Sequence, residues 1–160
     1  MNKGRSLLVV PILLIILTAC NRPLLHSKDR EMEPLTKVFP TSAPNALKVG
    51  REALVRLGYK IETEDESEGL LKTGWRSTKA SSHYVDLFDR RDYGTVGAYY
   101  QIKLRVLEKE GKAEVKVSAP VRSVVGRLKS SHAEEQKILQ KMTDLLRPED
   151  FEMTNVGVPE

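Results

Sequence analysis

The chain has 160 residues, of which 40% are hydrophobic and 30% are charged, and its formal net charge is +4. That length fits one domain of ordinary size with a hydrophobic core of its own. The single cysteine excludes a small fold held together by internal disulfide bonds, so packing must supply the stability.

The first 19 residues have the pattern of a secretory signal peptide. Lys3 and Arg5 precede an almost uninterrupted apolar run from Leu7 to Leu17. This run is too short to cross a bilayer as a helix, which needs roughly 17–25 residues. Of the 26 Lys and Arg residues, two lie in this segment, so its removal leaves 24 basic against 22 acidic residues. A mature chain so close to neutral gives no indication of nucleic-acid binding.

The four residues Leu17, Thr18, Ala19 and Cys20 resemble the lipobox of bacterial lipoprotein precursors. In that family the cysteine thiol receives diacylglycerol, the signal is cut before the cysteine, and the new amino group is acylated. The resemblance implies these acyl chains on Cys20 and no other cofactor. Two acyl chains hold a protein firmly on a membrane, whereas one anchors it only marginally. The alternatives are an uncleaved anchor or an ordinary signal peptide with a chance cysteine.

The residue after the cysteine indicates in which membrane the lipoprotein is placed. In the lipoprotein family an aspartate there favours retention in the inner membrane of Gram-negative cells. This chain has Asn21, which implies the outer membrane, on its periplasmic side. Residues 20–42, with three prolines and mixed charge, are predicted to be a lipidated flexible tether. Its apolar residues Leu24, Leu25, Val38 and Phe39 could dock on the domain or on a partner, but incidental contacts are the favoured interpretation.

A helix is predicted to open near Ser42, with Pro44 in its first turn. Its apolar residues gather on one face at 100° per residue: Ala46, Leu47, Val49, Gly50, Ala53, Leu54 and Leu57. Gly50 on this face predicts a close approach to a sheet, and Gly58 supplies the left-handed residue that ends the helix.

Strands follow, because apolar and polar residues alternate with period two. They are predicted at residues 59–64 and 70–76, joined by an acidic turn, and in a hairpin at residues 100–106 and 113–125. The second hairpin strand contains Pro120, which cannot donate to a ladder and predicts an edge or a bulge. Its last residues would also fit a helix, but the alternation in phase favours the strand.

The last element is a helix that begins near Ser131 and Glu134, which have capping-box spacing. Its apolar face comprises Ile138, Leu139, Met142, Leu145 and Leu146, and Pro148 ends it. We therefore predict an α+β domain over residues 43–148, an antiparallel sheet with two helices on one face. Residues 149–160 are predicted to be a loosely ordered tail.

The stretch from Ala46 to Tyr59, followed by Asp65, Gly69 and Trp75, resembles the C component of the bacterial β-barrel assembly machinery. Those lipoproteins carry helix-grip domains, in which a long helix is held against a curved sheet. The resemblance implies a helix-grip-like fold over residues 43–146. This chain has one such domain rather than two, and the family's long partner-binding N-terminal segment is not recognisable. The resemblance therefore implies a shared fold and does not imply the same complex.

Residues 77–98 are the least regular part of the predicted domain. A connection this long runs over the surface, and interface hot spots are enriched in Tyr and Arg. We therefore expect an interaction surface formed by aromatic and basic side chains of this segment: Tyr84, Phe88, Arg90, Arg91 and Tyr93. The alternative is that the residues from Tyr84 to Phe88 form another strand of the sheet.

Enzyme signatures are not evident in the sequence. The histidines, His26, His83 and His132, lack metal-ligand spacing to Cys, Asp or Glu, so no metal site is predicted. Residues 81–83 beside Asp86 have the residue types of a catalytic triad, but the strand-turn-helix elbow that exposes such a serine is lacking. We expect a protein that is not an enzyme.

The function expected from these observations is a non-enzymatic accessory or protein-interaction module in outer-membrane or envelope assembly. Its partners would be the membrane, through the lipid anchor, and envelope proteins. The alternative is a module that binds a small apolar ligand or lipid between helix and sheet, which an apolar cavity of several hundred Å³ would favour. A third possibility, a degradative periplasmic enzyme, requires His83 to converge with acids in a cleft.

Overall fold

A computed structural model of the protein describes residues 27–79, 81–87, 90–92 and 98–147. The predicted signal peptide, the lipobox residues Leu17, Thr18, Ala19 and Cys20, and the predicted tail at 149–160 lie outside these residues.

Two helices and twelve strands occur within the described part of the chain. The helices are α1 (Ala43–Arg56) and α2 (Ala133–Leu146). The strands before residue 93 are β1 (Lys28–Arg30), β2 (Leu35–Phe39), β3 (Ile61–Asp65), β4 (Leu70–Thr73), β5 (Arg76–Ser77), β6 (His83–Leu87) and β7 (Arg90–Asp92). The later strands are β8 (Tyr99–Tyr100), β9 (Lys103–Lys109), β10 (Lys112–Ser118), β11 (Val121–Ser123) and β12 (Leu128–Ser130).

Five strands form an antiparallel sheet in the order β2-β10-β9-β4-β3, and four form a second sheet in the order β1-β11-β8-β5. The same four chain segments run through both sheets, separated by breaks of two to four residues. Backbone hydrogen bonds cross the breaks, from Thr73 N to Ile102 O at 3.0 Å and from Gln101 N to Pro120 O at 3.1 Å. The two sheets are therefore parts of one long sheet that is interrupted at the same level in these four segments, while β3 belongs to the first part alone.

Both helices pack on the five-stranded sheet, α1 on β3, β4, β9 and β10, and α2 on β2 and β10. The α+β class with an antiparallel sheet and two helices is thus confirmed. Along α1 the buried residues are those of the predicted face: Ala46, Leu47, Val49, Gly50, Ala53 and Leu54. A Cβ at Gly50 would lie 3.1 Å from Leu104 Cδ1 of β9 and 3.5 Å from Met142 Cε of α2. The glycine lets α1 approach both neighbours closely.

The predicted tether is wrong for the residues that form β1 and β2, so the folded domain begins before residue 43. Strand β2 pairs with β10 from Phe39 opposite Ala113 to Leu35 opposite Val117. Phe39 is 3% exposed and belongs to the core, so it docks on the domain, whereas Val38 on the other face is 49% exposed. An edge strand of five residues between prolines gives little periodicity, which is why the sequence pattern did not indicate it.

The predicted second strand of the hairpin, residues 113–125, is confirmed as far as Ser123, as β10 and β11. Its inward side chains are buried in period two: Ala113, Val115, Val117, Ala119, Val121 and Ser123. The ladder breaks at Ala119 and Pro120, as the missing N–H of proline requires, and resumes in β11. Val125 lies in the bend that follows, so the strand ends earlier than predicted, and the helical alternative is wrong.

The predicted capping box at the start of α2 is also wrong. The residue before the helix is His132, with a left-handed φ of 60°, and it makes no side-chain cap. Ser131 instead donates its hydroxyl to Ser81 O at 2.6 Å, and Glu134 accepts a hydrogen bond from Tyr59. Tertiary contacts engage both side chains of the expected motif, although Ser131 Oγ also accepts a hydrogen bond from the backbone N–H of Ala133 at 3.3 Å.

The pairing of β2 predicts where a stable fragment must start. Residues 27–147 should unfold cooperatively, whereas residues 41–147 should be strongly destabilised, because β10 would lose its neighbour and the core would lose Phe39. Within the longer fragment, Phe39→Ala should lower the free energy of unfolding by about 3–5 kcal/mol. Urea denaturation measures both effects, and equal stability of the two fragments would contradict the assignment of β2.

Candidate functional site

The predicted interaction segment contributes β6 and β7 to a small third sheet in the order β12-β6-β7. Strand β6 runs from His83 to Leu87, which confirms the strand alternative for this part of residues 77–98. Leu128 lies opposite Val85, and Lys129 lies opposite Tyr84. Leu128 is buried and Lys129 is exposed, so the sheet has an inner face toward the core and an outer face toward solvent.

Two of the five predicted interaction residues meet on this outer face. The guanidinium carbon of Arg91 lies 4.8 Å from the ring centroid of Tyr84, which is a cation–π contact. Arg90 lies in β7 in register with Leu87. Phe88 and Tyr93 lie outside the described residues.

A cleft of about 420 Å³ adjoins the Tyr84–Arg91 pair. Its lining comes from four parts of the chain: Met32 and Glu33 before β2, Tyr84 and Arg91 of the small sheet, Lys129 and Ser130 of β12, and Ser131 and His132 before α2. It therefore combines an aromatic ring with two cationic side chains and one carboxylate. That chemistry suits a polar protein surface, because Tyr and Arg combine large contact areas with hydrogen-bonding groups.

Buried polar groups support the cleft wall from beneath. Glu135 is fully buried, and Ser130 donates its hydroxyl to Glu135 Oε1 at 2.8 Å. The backbone N–H of His132 donates to Ser130 Oγ at 3.0 Å, and His132 Nδ1 lies 3.6 Å from Glu135 Oε1. These contacts hold His132 in its left-handed conformation. These hydrogen bonds therefore connect the loop at the cleft edge to the buried interior.

A second buried pair lies one residue earlier on α2. Tyr59 donates its hydroxyl to Glu134 Oε2 at 2.6 Å, and Lys137 Nζ donates to Glu134 Oε1 at 3.0 Å. Burial raises the pKa of the Glu134 carboxyl, but the hydrogen bonds from Tyr59 and Lys137 outweigh it and hold the pKa below its ordinary value. Burial, and then hydrogen bonding to Glu134 and Tyr100, raise the pKa of Tyr59 far above its ordinary range. Both groups therefore keep their structural protonation states at neutral pH.

His83 does not line the cleft and is 2% exposed. Its ring nitrogens lie 3.0 Å from Ser82 Oγ and 3.3 Å from Ala119 O, and its ring packs on Tyr100 with centroids 5.3 Å apart. Burial lowers the pKa of His83, although the Ala119 carbonyl and nearby carboxylates oppose this shift. The convergence with acids in an open cleft that a degradative enzyme requires is therefore not found at this histidine.

A groove of about 740 Å³ lies between the start of α1 and the ends of β3 and β9. Leu47 and Val106 supply apolar surface, while Lys48, Arg51 and four glutamates contribute charge. Between the helices and the sheet, side chains such as Leu54 and Leu104 are fully buried. The groove is an open surface feature and differs from the apolar cavity that ligand binding between helix and sheet requires.

Among residues 27–147, with their gaps, no group of three or more His, Cys, Asp or Glu side chains could hold a metal ion. In the same described ranges, neither helix has the length and hydropathy needed to cross a membrane.

The chain matches no protein-family profile and no curated protein sequence. The resemblance to the C component of the β-barrel assembly machinery therefore stays a prediction.

Sequence reasoning missed the buried carboxylates of α2, although a signal was present. Glu135 lies three, four and seven residues before Ile138, Leu139 and Met142, which places it on the apolar face. An acidic residue in that position predicts a buried partner, here Ser130. The partner itself comes from β12 and could not be identified from helical periodicity.

Because burial disfavours protonated His83, the domain should lose stability in mild acid. Stability should be full above the ordinary pKa of about 6.5 and should fall as the pH drops toward the lower pKa of the folded state. His83→Gln should flatten this dependence. Urea unfolding from about pH 7.5 to 5.5 measures the slopes, and equal slopes for wild type and His83→Gln would contradict the assignment.

Proposed function

We propose that this chain is a lipid-anchored envelope protein that binds a partner protein and catalyses no reaction. The single observation that carries the binding role is the Arg91–Tyr84 contact on the outer face of the small sheet, beside a cleft. Aromatic and arginine side chains dominate the energetics of protein interfaces. A buried polar network fixes the neighbouring loop, so little ordering entropy is lost on binding.

Anchoring is supported by the sequence pattern around Cys20, which lies eight residues before the first residue of β1. Asn21 favours the outer membrane, with the domain on the periplasmic side. In this proposal the protein is an accessory or interaction module in outer-membrane or envelope assembly. The membrane, through the anchor, and envelope proteins are its partners, and acyl chains on Cys20 are its only covalent additions.

A ligand-binding module is the second candidate, and the groove beside Leu47 and Val106 is the observation that favours it. Its volume falls within the usual range of ligand pockets, roughly 300–1,000 Å³. Charged residues contribute much of its lining, however, and it is open to solvent. Interaction with a protein therefore agrees better with the surfaces of this domain.

Cys20→Ser should remain an unprocessed precursor, because serine cannot form the thioether that precedes cleavage. Metabolic labelling with a fatty acid and gel mobility measure this directly. The expected result is complete loss of label and a larger apparent mass than wild type. Equal labelling of the two proteins would overturn the anchor.

Arg91→Glu should reduce partner recovery when the lipidated protein is purified from envelope membranes, because it removes the cation–π contact and reverses one charge beside the cleft. A loss of at least tenfold is expected, as for an interface residue worth about 1.4 kcal/mol or more. Lys141→Glu, on α2, applies the same charge change elsewhere and should leave recovery unchanged. If Arg91→Glu leaves both partner recovery and the unfolding midpoint unchanged, the Tyr84–Arg91 surface does not bind the partner.

A further inference from the structure

The outer face of the five-stranded sheet, opposite the helices, is strongly basic. Inward side chains of β9 and β10 such as Leu104 and Val115 are buried, so the alternate positions face outward. These positions and their neighbour on β4 carry six basic residues: Lys72, Lys103, Arg105, Lys109, Lys112 and Lys116. We call this set the basic face.

The register places these charges directly opposite one another. Lys72 pairs with Lys103 across β4 and β9, and across β9 and β10 Arg105 pairs with Lys116 and Lys109 with Lys112. Like charges in directly opposed positions destabilise a sheet. Three such pairs on one face oppose folding, so this arrangement indicates an anionic partner outside the chain.

Carboxylates within the chain neutralise only part of the basic face. Glu114 lies 3.0 Å from Lys116 and 3.6 Å from Lys109, while Glu31 lies 3.3 Å from Lys103. Glu68 lies 3.7 Å from Arg105. These three carboxylates pair with four of the six cations, and Asp65, in register with Leu70 and so with Arg105, adds a fourth carboxylate to this face. Six cations against four carboxylates still leave an excess of positive charge on a half-exposed surface.

An aromatic patch continues this face into the second sheet. The Arg122 guanidinium carbon lies 4.2 Å from the Trp75 ring centroid, and Arg122 is in register with Tyr99, which is 47% exposed. Asp29 of β1 forms ion pairs with Arg122 at 2.6 and 2.9 Å on the same side. Trp and Tyr are the side chains enriched at membrane–water interfaces.

The short stretch of chain between Cys20 and the first described residue limits how far the domain can lie from the membrane that holds the anchor. Cys20 and Ser27, the first described residue, are seven residues apart, a span of at most about 25 Å when fully extended. The aromatic patch adjoins β1, which follows Ser27 directly. With acyl chains on Cys20, this end of the sheet cannot move far from the lipid headgroups.

We propose that the basic face and the aromatic patch lie against an anionic lipid surface in the membrane that holds the anchor. This docking rests on the proposed anchor at Cys20, which keeps the domain at a high local concentration beside the membrane. The lysines give the domain its preference for anionic lipid. Each lysine close to an anionic surface contributes about fivefold to binding. The domain is then oriented on the membrane, with its helices facing away from the lipid.

Trp75 is the chain's single tryptophan and reports docking directly. The full lipidated protein would be placed in phosphatidylcholine vesicles, with and without phosphatidylglycerol, that contain phosphatidylcholine brominated on its acyl chains. Bromine quenching of Trp75 is expected only with phosphatidylglycerol, and about 1 M salt, where the Debye length is about 3 Å, should abolish it. Replacing Lys72, Lys103 and Lys116 with glutamine should weaken the docking equilibrium about 100-fold.

A matched variant distinguishes the effect of where the positive charges lie from the effect of the total charge of the protein. Lys48→Gln, Arg56→Gln and Lys141→Gln on the helices remove three charges and should leave the quenching unchanged. The salt dependence of the wild-type protein tests the proposal even if the sheet variant is unstable. Quenching absent from both vesicle types, or equal in both, overturns the docking.

Flotation of the vesicles distinguishes this proposal from the proposed anchor. A protein that does not float with pure phosphatidylcholine lacks the anchor, yet salt-sensitive quenching with phosphatidylglycerol would still support the docking. A protein that floats with both vesicles and shows no quenching keeps the anchor and loses the docking. Loss of a co-purified envelope protein from the lysine variant, without quenching in wild type, assigns the basic face to a protein partner and overturns the lipid proposal.

Discussion

The pairing of β2 with β10 is the contact on which the rest of the domain depends. It brings Phe39 into the core and lets Lys37 Nζ donate to Thr143 Oγ1 of α2 at 2.7 Å. It also determines where the folded domain begins, because β1 and β2 leave only a short link to Cys20. Closure of the core and the proposed closeness of the domain to a membrane therefore depend on the same ladder.

The interior divides into an apolar part and a polar part. Gly50 allows α1 to contact Leu104 and Met142 closely, so the middle of the domain is filled by hydrocarbon. At the start of α2, Glu134 and Glu135 are buried and receive hydrogen bonds from Tyr59 and Ser130 respectively. The apolar part supplies most of the stability. The polar part fixes the loop beside the cleft, which leaves the proposed Tyr84–Arg91 surface next to a rigid support.

Periodicity in the sequence was sufficient to predict α1, α2 and the β9–β10 hairpin, because each is long and buries one face. It was insufficient for β2, whose outer side is exposed, and for the capping of α2, where tertiary contacts replace the local motif. The outer-face pair of Tyr84 and Arg91 was predicted only as members of one segment. Their neighbours in the cleft come from residues before β2 and α2, and no local pattern indicates such distant pairings.

Amide hydrogen exchange of β2 in the intact chain tests the account most directly. Those N–H groups of residues 35–39 that bond to β10 should exchange slowly, with protection close to that of β9 and β10, because opening this edge exposes Phe39 and part of the core. Exchange of these amides at the rate of an unstructured peptide, while β9 and β10 stay protected, would contradict the account. The domain would then begin after residue 40 and the link to Cys20 would be long.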